Sequence, residues 1–447
     1  MKLLLVRPKM ANTLGFLNIV DCEPLELEYL FAAAKNRGHI PIIYDAMYDR
    51  GDLRAIITAE KPDAIAITGY ITQENLMIKY ARIAKEIDGA VSVILGGVHA
   101  ELNAERFYNS RADYIVHTGS LETFEKLLDA IDGKIGAAGI PGICCRDGAA
   151  WVKNPPLACD PNAWPMPDRT FFYNTRERYR YLEFQPCALL KASYACPYQC
   201  GFCYCRKLNC GRYAVRDMEK VVDEIELIPC DNIYIVDDDF LLDNSRVEQF
   251  ISLLKSRGIH KNFLIYGRAD YICQNRDMIL KLKEAGVRYI MVGLEASADI
   301  HLKSYNKGVD IGQNERCISV LRECGVKCMA LMIVNLDFTK EDFNRMRQWI
   351  KETGLEYVTV SIFTPLPGTD IFDEYSGRLT DAAVEKFDFL HVLAEPAHMS
   401  RREFYLQYYR LFLSIYSIAR KNDAYPTLNL KYMRDVFTNY IRTLIKT

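Results

Sequence analysis

Ala195-Cys196-Pro197-Tyr198-Gln199-Cys200-Gly201-Phe202-Cys203-Tyr204 is the stretch on which the reading of this chain turns. Its cysteines are spaced C-x3-C-x2-C. Thiolates bind the irons of iron–sulfur clusters, and a [4Fe–4S] cluster is ordinarily held by four of them. Three so close together leave one iron for a ligand that is not protein, and an open metal position marks a site of chemistry. A structural zinc site is the competing reading, with Cys205 and Cys210 at hand to complete a thiolate set. Zinc ribbons pair two C-x2-C knuckles across a spacer, whereas this run has one knuckle and a third cysteine upstream.

The surrounding 447 residues are long enough for two to four domains. Half are hydrophobic and 26 % charged, the profile of an ordinary soluble globular protein. A formal charge of −2 gives no reason to expect a nucleic-acid surface or an anionic membrane partner. The longest apolar runs, such as Cys328–Val334, have strand length, so no membrane span is expected. Leu3–Val6 after Lys2 has the look of a signal peptide, but Arg7, Pro8 and Lys9 end it too early, and a cytoplasmic location is expected. Fifteen cysteines in that compartment point to metal, catalysis or buried small hydrophobes. Cys273, Cys317, Cys324 and Cys328 sit singly on predicted elements and are expected in the core.

The first third alternates apolar runs with amphipathic segments. Strands are predicted at Leu3–Val6, Ile40–Tyr44, Ala64–Thr68, Ser92–Leu95 and Tyr114–Val116, with helices including Leu25–Lys35, Glu74–Glu86 and Glu122–Ile131. Such alternation predicts an α/β fold with a doubly wound parallel sheet over residues 1–150, with ligands at the carboxyl ends of its strands. Residues 151–185, rich in Pro and Trp from Asn154 to Asp168, read as a linker. Six further βα steps run from 186 to 378. Their strands are predicted at Leu189–Ser193, Asn232–Val236, Phe263–Tyr266, Tyr289–Gly293, Cys328–Val334 and Tyr357–Phe363. Six steps are too few for a closed eight-fold barrel. From Asp381 the pattern turns helical, with Met399–Arg420 and Leu430–Ile445 carrying Tyr, Phe and Leu at core-packing spacing, so 379–447 is predicted as a helical region.

The cysteine spacing, with Phe202 just before the third cysteine and the triplet after the first strand of six βα steps, resembles the radical S-adenosylmethionine (SAM) superfamily. The resemblance implies a partial (β/α)6 barrel and a [4Fe–4S] cluster on Cys196, Cys200 and Cys203. It also implies SAM on the open iron, cleaved to a 5′-deoxyadenosyl radical that takes a substrate hydrogen. SAM contacts are then expected from Phe202, Asp238, Arg268, Glu295, Ser297, Asn335 and Pro365. Asp238 lies in the run Asp237-Asp238-Asp239, Arg268 in Gly267-Arg268-Ala269-Asp270, Glu295 and Ser297 in Gly293-Leu294-Glu295-Ala296-Ser297, and Pro365 in Pro365-Leu366-Pro367-Gly368-Thr369. Plainer roles stand beside these: Phe202 buried at the barrel rim, Asp239 or Asp243 capping a helix, Arg268 and Glu295 paired with each other.

The leading sheet has Arg7-Pro8-Lys9-Met10 where a Gly-x-Gly-x-x-Gly dinucleotide fingerprint would follow the first strand. With Glu23-Pro24-Leu25-Glu26, Arg37-Gly38-His39, Lys61-Pro62-Asp63 and Leu95-Gly96-Gly97-Val98-His99, it resembles the B12-binding domain fused to class B, cobalamin-dependent radical SAM enzymes. The resemblance implies cobalamin contacts at Thr68, Tyr70, Thr72, Gly96, Gly97 and Glu122. The chain lacks the Asp-x-His-x-x-Gly of a histidine ligand to cobalt, and Gly119-Ser120-Leu121-Glu122 replaces the family's Gly-Glu-Gly-Glu. His99 and His117 are expected to be satisfied histidines. The function implied is methylation of an unactivated carbon of a small-molecule or peptide substrate through methylcobalamin, with electrons from a flavodoxin- or ferredoxin-like donor. A non-methylating cyclisation, ring contraction or carbon–carbon coupling is the alternative, and a non-catalytic cobalamin-binding regulator stands behind both.

Overall fold

In the computed structural model, which describes residues 1–9, 20–49, 51–422, 424, 434 and 438, the chain begins with a strand covered on both faces. Leu3 to Val6 of β1 (Lys2–Arg7) are fully buried, as a central parallel strand between two helical layers must be. β2 (Ile40–Asp45) and β3 (Ala64–Thr68) flank β1, and β4 (Ser92–Gly96) and β5 (Tyr114–Val116) continue beyond β3, all parallel. Helices α1 (Leu25–Asn36) and α4 (Leu121–Ile131) pack one face and α2 (Leu53–Glu60) and α3 (Glu74–Ile87) the other. The strand order turns back between β1 and β3, and open α/β sheets bind ligands outside the strand ends at that switch.

The sheet is mixed rather than wholly parallel. β6 (Ile143–Asp147) and β7 (Ala150–Lys153) extend it antiparallel past β5, carrying it beyond the expected boundary at 150. Asp147-Gly148, with Gly148 at φ +59°, makes the turn, and Asp-Gly is a strong hairpin signal.

The second half is six parallel strands in sequential order: β8 (Cys187–Leu190), β9 (Asn232–Ile235), β10 (Asn262–Gly267), β11 (Val287–Glu295), β12 (Lys327–Val334) and β13 (Tyr357–Ile362). Helices α5 (Met218–Leu227), α6 (Asn244–Ser256), α7 (Arg276–Glu284), α8 (Ile311–Glu323) and α9 (Lys340–Thr353) cover its outside. β8 stops at Leu190, three residues short of the predicted strand, because Asp237 accepts the Ala192 and Ser193 N–H groups at 2.7 and 2.9 Å and turns the chain away. The short pair Ser193–Tyr194 and Ala214–Val215 then forms a separate ribbon.

The segment after the barrel departs from the predicted helix. Over 381–400 the only regular element is one 3-10 turn, Val384–Lys386. Its backbone groups bond to neighbouring chain: Ile362 N–H donates to the Phe389 carbonyl at 2.7 Å and Thr380 N–H to the Leu393 carbonyl at 2.9 Å. α10 (Arg401–Lys421) follows and packs on α9, with Phe404 against Phe343. The predicted helix Leu430–Ile445 lies outside the residues described, apart from Arg434 and Thr438.

A buried ionic network joins the two halves. Arg169 donates to Glu23 and to Glu224 at 2.6 Å and to the Leu189 carbonyl at 2.8 Å, and Arg216 donates to Glu224 at 2.7 Å. Glu23 precedes α1, Leu189 is in β8 and Glu224 in α5, so one guanidinium ties sheet to barrel. Breaking a buried charge network by deleting one partner strands the others in low dielectric. Arg169→Met should cost about 3–5 kcal/mol, read as a lower denaturation midpoint at unchanged slope.

Candidate active site

The cysteine loop leaves β8 through Ala195, a non-glycine residue at φ +64°. Cys200 is buried and Cys196 and Cys203 are half-buried, with Cys203 N–H donating to the Cys200 carbonyl at 3.2 Å. The loop is braced from β11's exit: Gly201 N–H meets the Tyr305 carbonyl at 3.4 Å and Asn306 Nδ2 donates to the Gln199 carbonyl at 3.0 Å. Burial pushes the Cys196 thiol up to about 12 and raises that of Cys200, where Lys307 and Arg268 oppose the rise. A hydrogen bond from Cys205 lowers Cys203 instead. Burial thus disfavours the Cys196 and Cys200 anions, and bound iron would supply the missing positive charge. Among the described residues no three His, Cys, Asp or Glu side chains converge closely enough to hold one ion. Thiolates that each take a different iron of a cluster need not so converge.

The residues expected around SAM gather at the carboxyl ends of the barrel strands, with pairings of their own. Phe202 packs edge-on against Tyr305 at 5.3 Å, and Tyr305 stacks on Phe363. In the acidic run, Asp237 holds the loop, Asp239 accepts the Leu241 N–H at 3.0 Å, and Asp238 keeps a buried Oδ2 without a hydrogen-bond partner among the described residues. Burial pushes the Asp239 carboxyl up to about 7. Asp243, not Asp239, caps α6, accepting from Ser245 N–H at 2.8 Å.

Arg268 and Glu295 are not partners. Arg268 forks onto Asp270 at 3.0–3.1 Å and lies 3.8 Å over the Tyr198 ring, while Glu295 is bonded to Lys307 at 2.8 Å. Glu295 sits at φ +60° beside a register shift in β11, and a Cβ on Gly293 would come within 2.3 Å of its Oε1 and 2.7 Å of Lys307 Nζ. Glycine at 293 therefore leaves the room in which the buried pair stands. Lys307 was not singled out from sequence: only its place between Asn306 and Gly308, both at positive φ, marks the tight loop that turns it inward. Ser297, Asn335 and Pro365 are buried, and Asn335 accepts the Leu336 N–H at 2.7 Å.

Facing this rim is a cleft of about 300 Å³. Its walls come from Tyr70, Thr72, His99 and Leu102 of the sheet domain, Tyr204 and Leu366 of the barrel, and the chain from Phe387 to Leu390. That last stretch lies in the region expected to be helical and is irregular instead. Thr68, last in β3, lies opposite Gly96, and Gly97 at φ +96° admits the Thr68 hydroxyl and Gly69 backbone where a Cβ would fall within 2.4–2.8 Å. Gly97 is thus filled from its own domain, whereas Gly119 accommodates the Tyr194 ring from the barrel side. Glu122 is exposed, bonded to Lys126 one turn on, and is not among the residues lining the cleft. His99 bonds Glu74 at 2.6 Å. Burial alone would raise the Glu74 carboxyl, but hydrogen bonds from His99 and Arg106 outweigh it and hold it below the usual range. Burial lowers the pKa of His117, which does not line the cleft.

The two walls are bound together. Glu101, on the short helix Val98–Asn103, accepts from the Tyr194 hydroxyl and from Asn209 N–H at 2.7 Å. Asn103 Nδ2 donates to the Pro367 carbonyl at 3.2 Å, in the Pro365–Thr369 turn.

Comparison with known proteins agrees with this arrangement. The model of the radical SAM superfamily matches residues 190–350, and that of the B12 binding domain matches residues 20–128. A hopanoid C-3 methylase of Methylococcus capsulatus is 25 % identical over 100 % of this chain and 87 % of its own length. An anaerobic magnesium-protoporphyrin IX monomethyl ester cyclase of Rubrivivax gelatinosus is 25 % identical over 85 % of this chain and 71 % of its own. The structure of the radical SAM methyltransferase TsrM of Kitasatospora setae, with cobalamin and a [4Fe–4S] cluster bound, superimposes with a TM-score of 0.73 over 93 % of this chain and 90 % of TsrM. At 15 % identity that is a likeness of fold. A B12-binding sheet followed in one chain by a radical SAM barrel, with the thiol triplet after the barrel's first strand, places the chain among the radical SAM proteins that carry an N-terminal B12-binding domain.

Proposed function

We propose that the chain methylates an unactivated carbon of a small-molecule or peptide substrate. One observation carries the reading: Tyr204, next to the third cysteine of the triplet, and Tyr70, in the loop after β3, line the same cleft. When bound, the cluster with SAM supplies a hydrogen-abstracting 5′-deoxyadenosyl radical, and methylcobalamin supplies the methyl group. The protein's part is to hold and orient these groups. Cys196, Cys200 and Cys203 are the cluster thiolates. The buried Asp238 oxygen is an acceptor for SAM's ammonium, and Glu295, fixed by Lys307, for ammonium or ribose hydroxyl protons. Arg268 over Tyr198, held by Asp270, presents its guanidinium edge to a carboxylate. Tyr70, Thr72 and Thr68 stand on the cobalamin side.

The hopanoid methylase among the relatives supports methylation. The cyclase supports the second reading, radical chemistry without methyl transfer. We place the reaction in the cytoplasm, where thiols stay reduced, with a flavodoxin- or ferredoxin-like donor. No helix among the described residues is long and apolar enough to cross a membrane.

Three outcomes test this. Anaerobically reconstituted protein with dithionite and SAM should form 5′-deoxyadenosine, and Cys200→Ala should form none; nucleoside from that variant sinks the cluster assignment. With methyl-deuterated SAM, methylation transfers label to the product, whereas cyclisation leaves it unlabelled. Glu295→Gln should weaken SAM binding about tenfold, the scale of one hydrogen bond to a charged group. Gly293→Ala, which touches the same pair from behind, should reproduce that loss by calorimetric titration.

A further inference from the structure

We propose that the chain leaving the barrel, Phe387 to Leu390, completes the cobalamin site, and that Asp388 accepts hydrogen bonds from amide side chains on the corrin rim. The inference rests on the functional reading above and adds to it a contact from outside both matched domains, which end at residues 128 and 350.

Asp388 lines the cleft, and its side chain is 4 % exposed. One oxygen, Oδ1, accepts from Leu390 N–H at 3.0 Å and from His391 Nδ1 at 2.9 Å. The other, Oδ2, is buried and has no hydrogen-bond partner among the described residues. A buried carboxylate oxygen left unmatched opposes folding, and this one stands on the wall of a cleft from which a ligand's N–H can reach it.

The backbone beside it points the same way. Phe389 is held at φ +64°, a conformation unfavourable for a residue with a side chain, by the bond from Ile362 N–H to its carbonyl. Strain of this kind persists where the surroundings over-determine it, often at ligand clamps.

The occupant follows from the cleft's chemistry. Apart from Asp388 the segment contributes Phe387, Phe389 and Leu390, and the cleft wall as a whole is mainly apolar. The opposite wall is the loops after β3 and β4, at the carboxyl edge of the B12-type sheet. Two of its polar groups are already engaged, His99 with Glu74 and Asn103 with the Pro367 carbonyl. What remains calls for a broad apolar body that carries N–H donors at its edge and no negative charge near Asp388. A corrin, a flat macrocycle rimmed with primary amides, has that character.

The test measures binding, with no substrate needed. Anaerobically reconstituted full-length protein is titrated with hydroxocobalamin and, separately, with dicyanocobinamide, which keeps the rim amides and lacks the nucleotide tail. Asp388→Ala should raise both dissociation constants about tenfold or more, the scale of a charged hydrogen bond, with iron content and melting temperature unchanged. Asp388→Asn, which keeps the side-chain shape and can still accept from Leu390, guards against a folding defect and should show a loss of the same sign. Wild-type affinity in both variants overturns the proposal, as does a loss confined to hydroxocobalamin, which would place Asp388 on the nucleotide tail. Failure of the wild type to bind either corrinoid would instead overturn the cobalamin reading, and this proposal with it.

Discussion

One carboxylate grips both ends of the cysteine loop. Glu101 receives the Tyr194 hydroxyl from just before the triplet and the Asn209 amide from just after it. It belongs to the sheet domain, on the helix that follows Gly96-Gly97, so the loop that presents three thiols is fastened to the wall opposite its own barrel. The chemistry proposed here needs a radical source and a methyl source to face one substrate with water kept out. A fixed distance between the two domains is the first requirement, and Glu101 with the buried Arg169 network supplies it from two sides.

Within that frame several candidate site residues are positioned by neighbours. Asp237 ends β8 and turns the chain toward the cysteines. Gly293 leaves room for the Glu295–Lys307 pair, and Asp270 holds Arg268 over Tyr198. Gly368, at φ +90°, lets the turn after β13 approach Leu102 and Asn103 of the sheet domain.

The architecture was legible in the sequence where periodicity and local spacing encode it. Strands such as Ala64–Thr68 and Tyr114–Val116 are read directly because continuous apolar runs between amphipathic helices have few other meanings. The cysteine triplet was legible for the same reason: its spacing is short and local. What escaped depends on distant partners. Lys307 matters because Glu295 lies beside it, a pairing fixed by a bulge that no pattern announces. Phe387–Leu390 carries helix-compatible residues, yet the Phe389 carbonyl is taken by Ile362 N–H of β13. Glu122 occupies a family position but turns to Lys126 and solvent. The hairpin at Asp147-Gly148 carries its signal in the turn dipeptide, although its two strands are short.

In the proposed function, cluster and cobalamin face each other across one cleft. Electron paramagnetic resonance of the protein loaded with both, poised so that the reduced cluster and cob(II)alamin are each paramagnetic, reads this proximity. Mutual broadening or splitting of the two signals is expected, lost in Cys200→Ala. Two sharp spectra that add as independent species would contradict it.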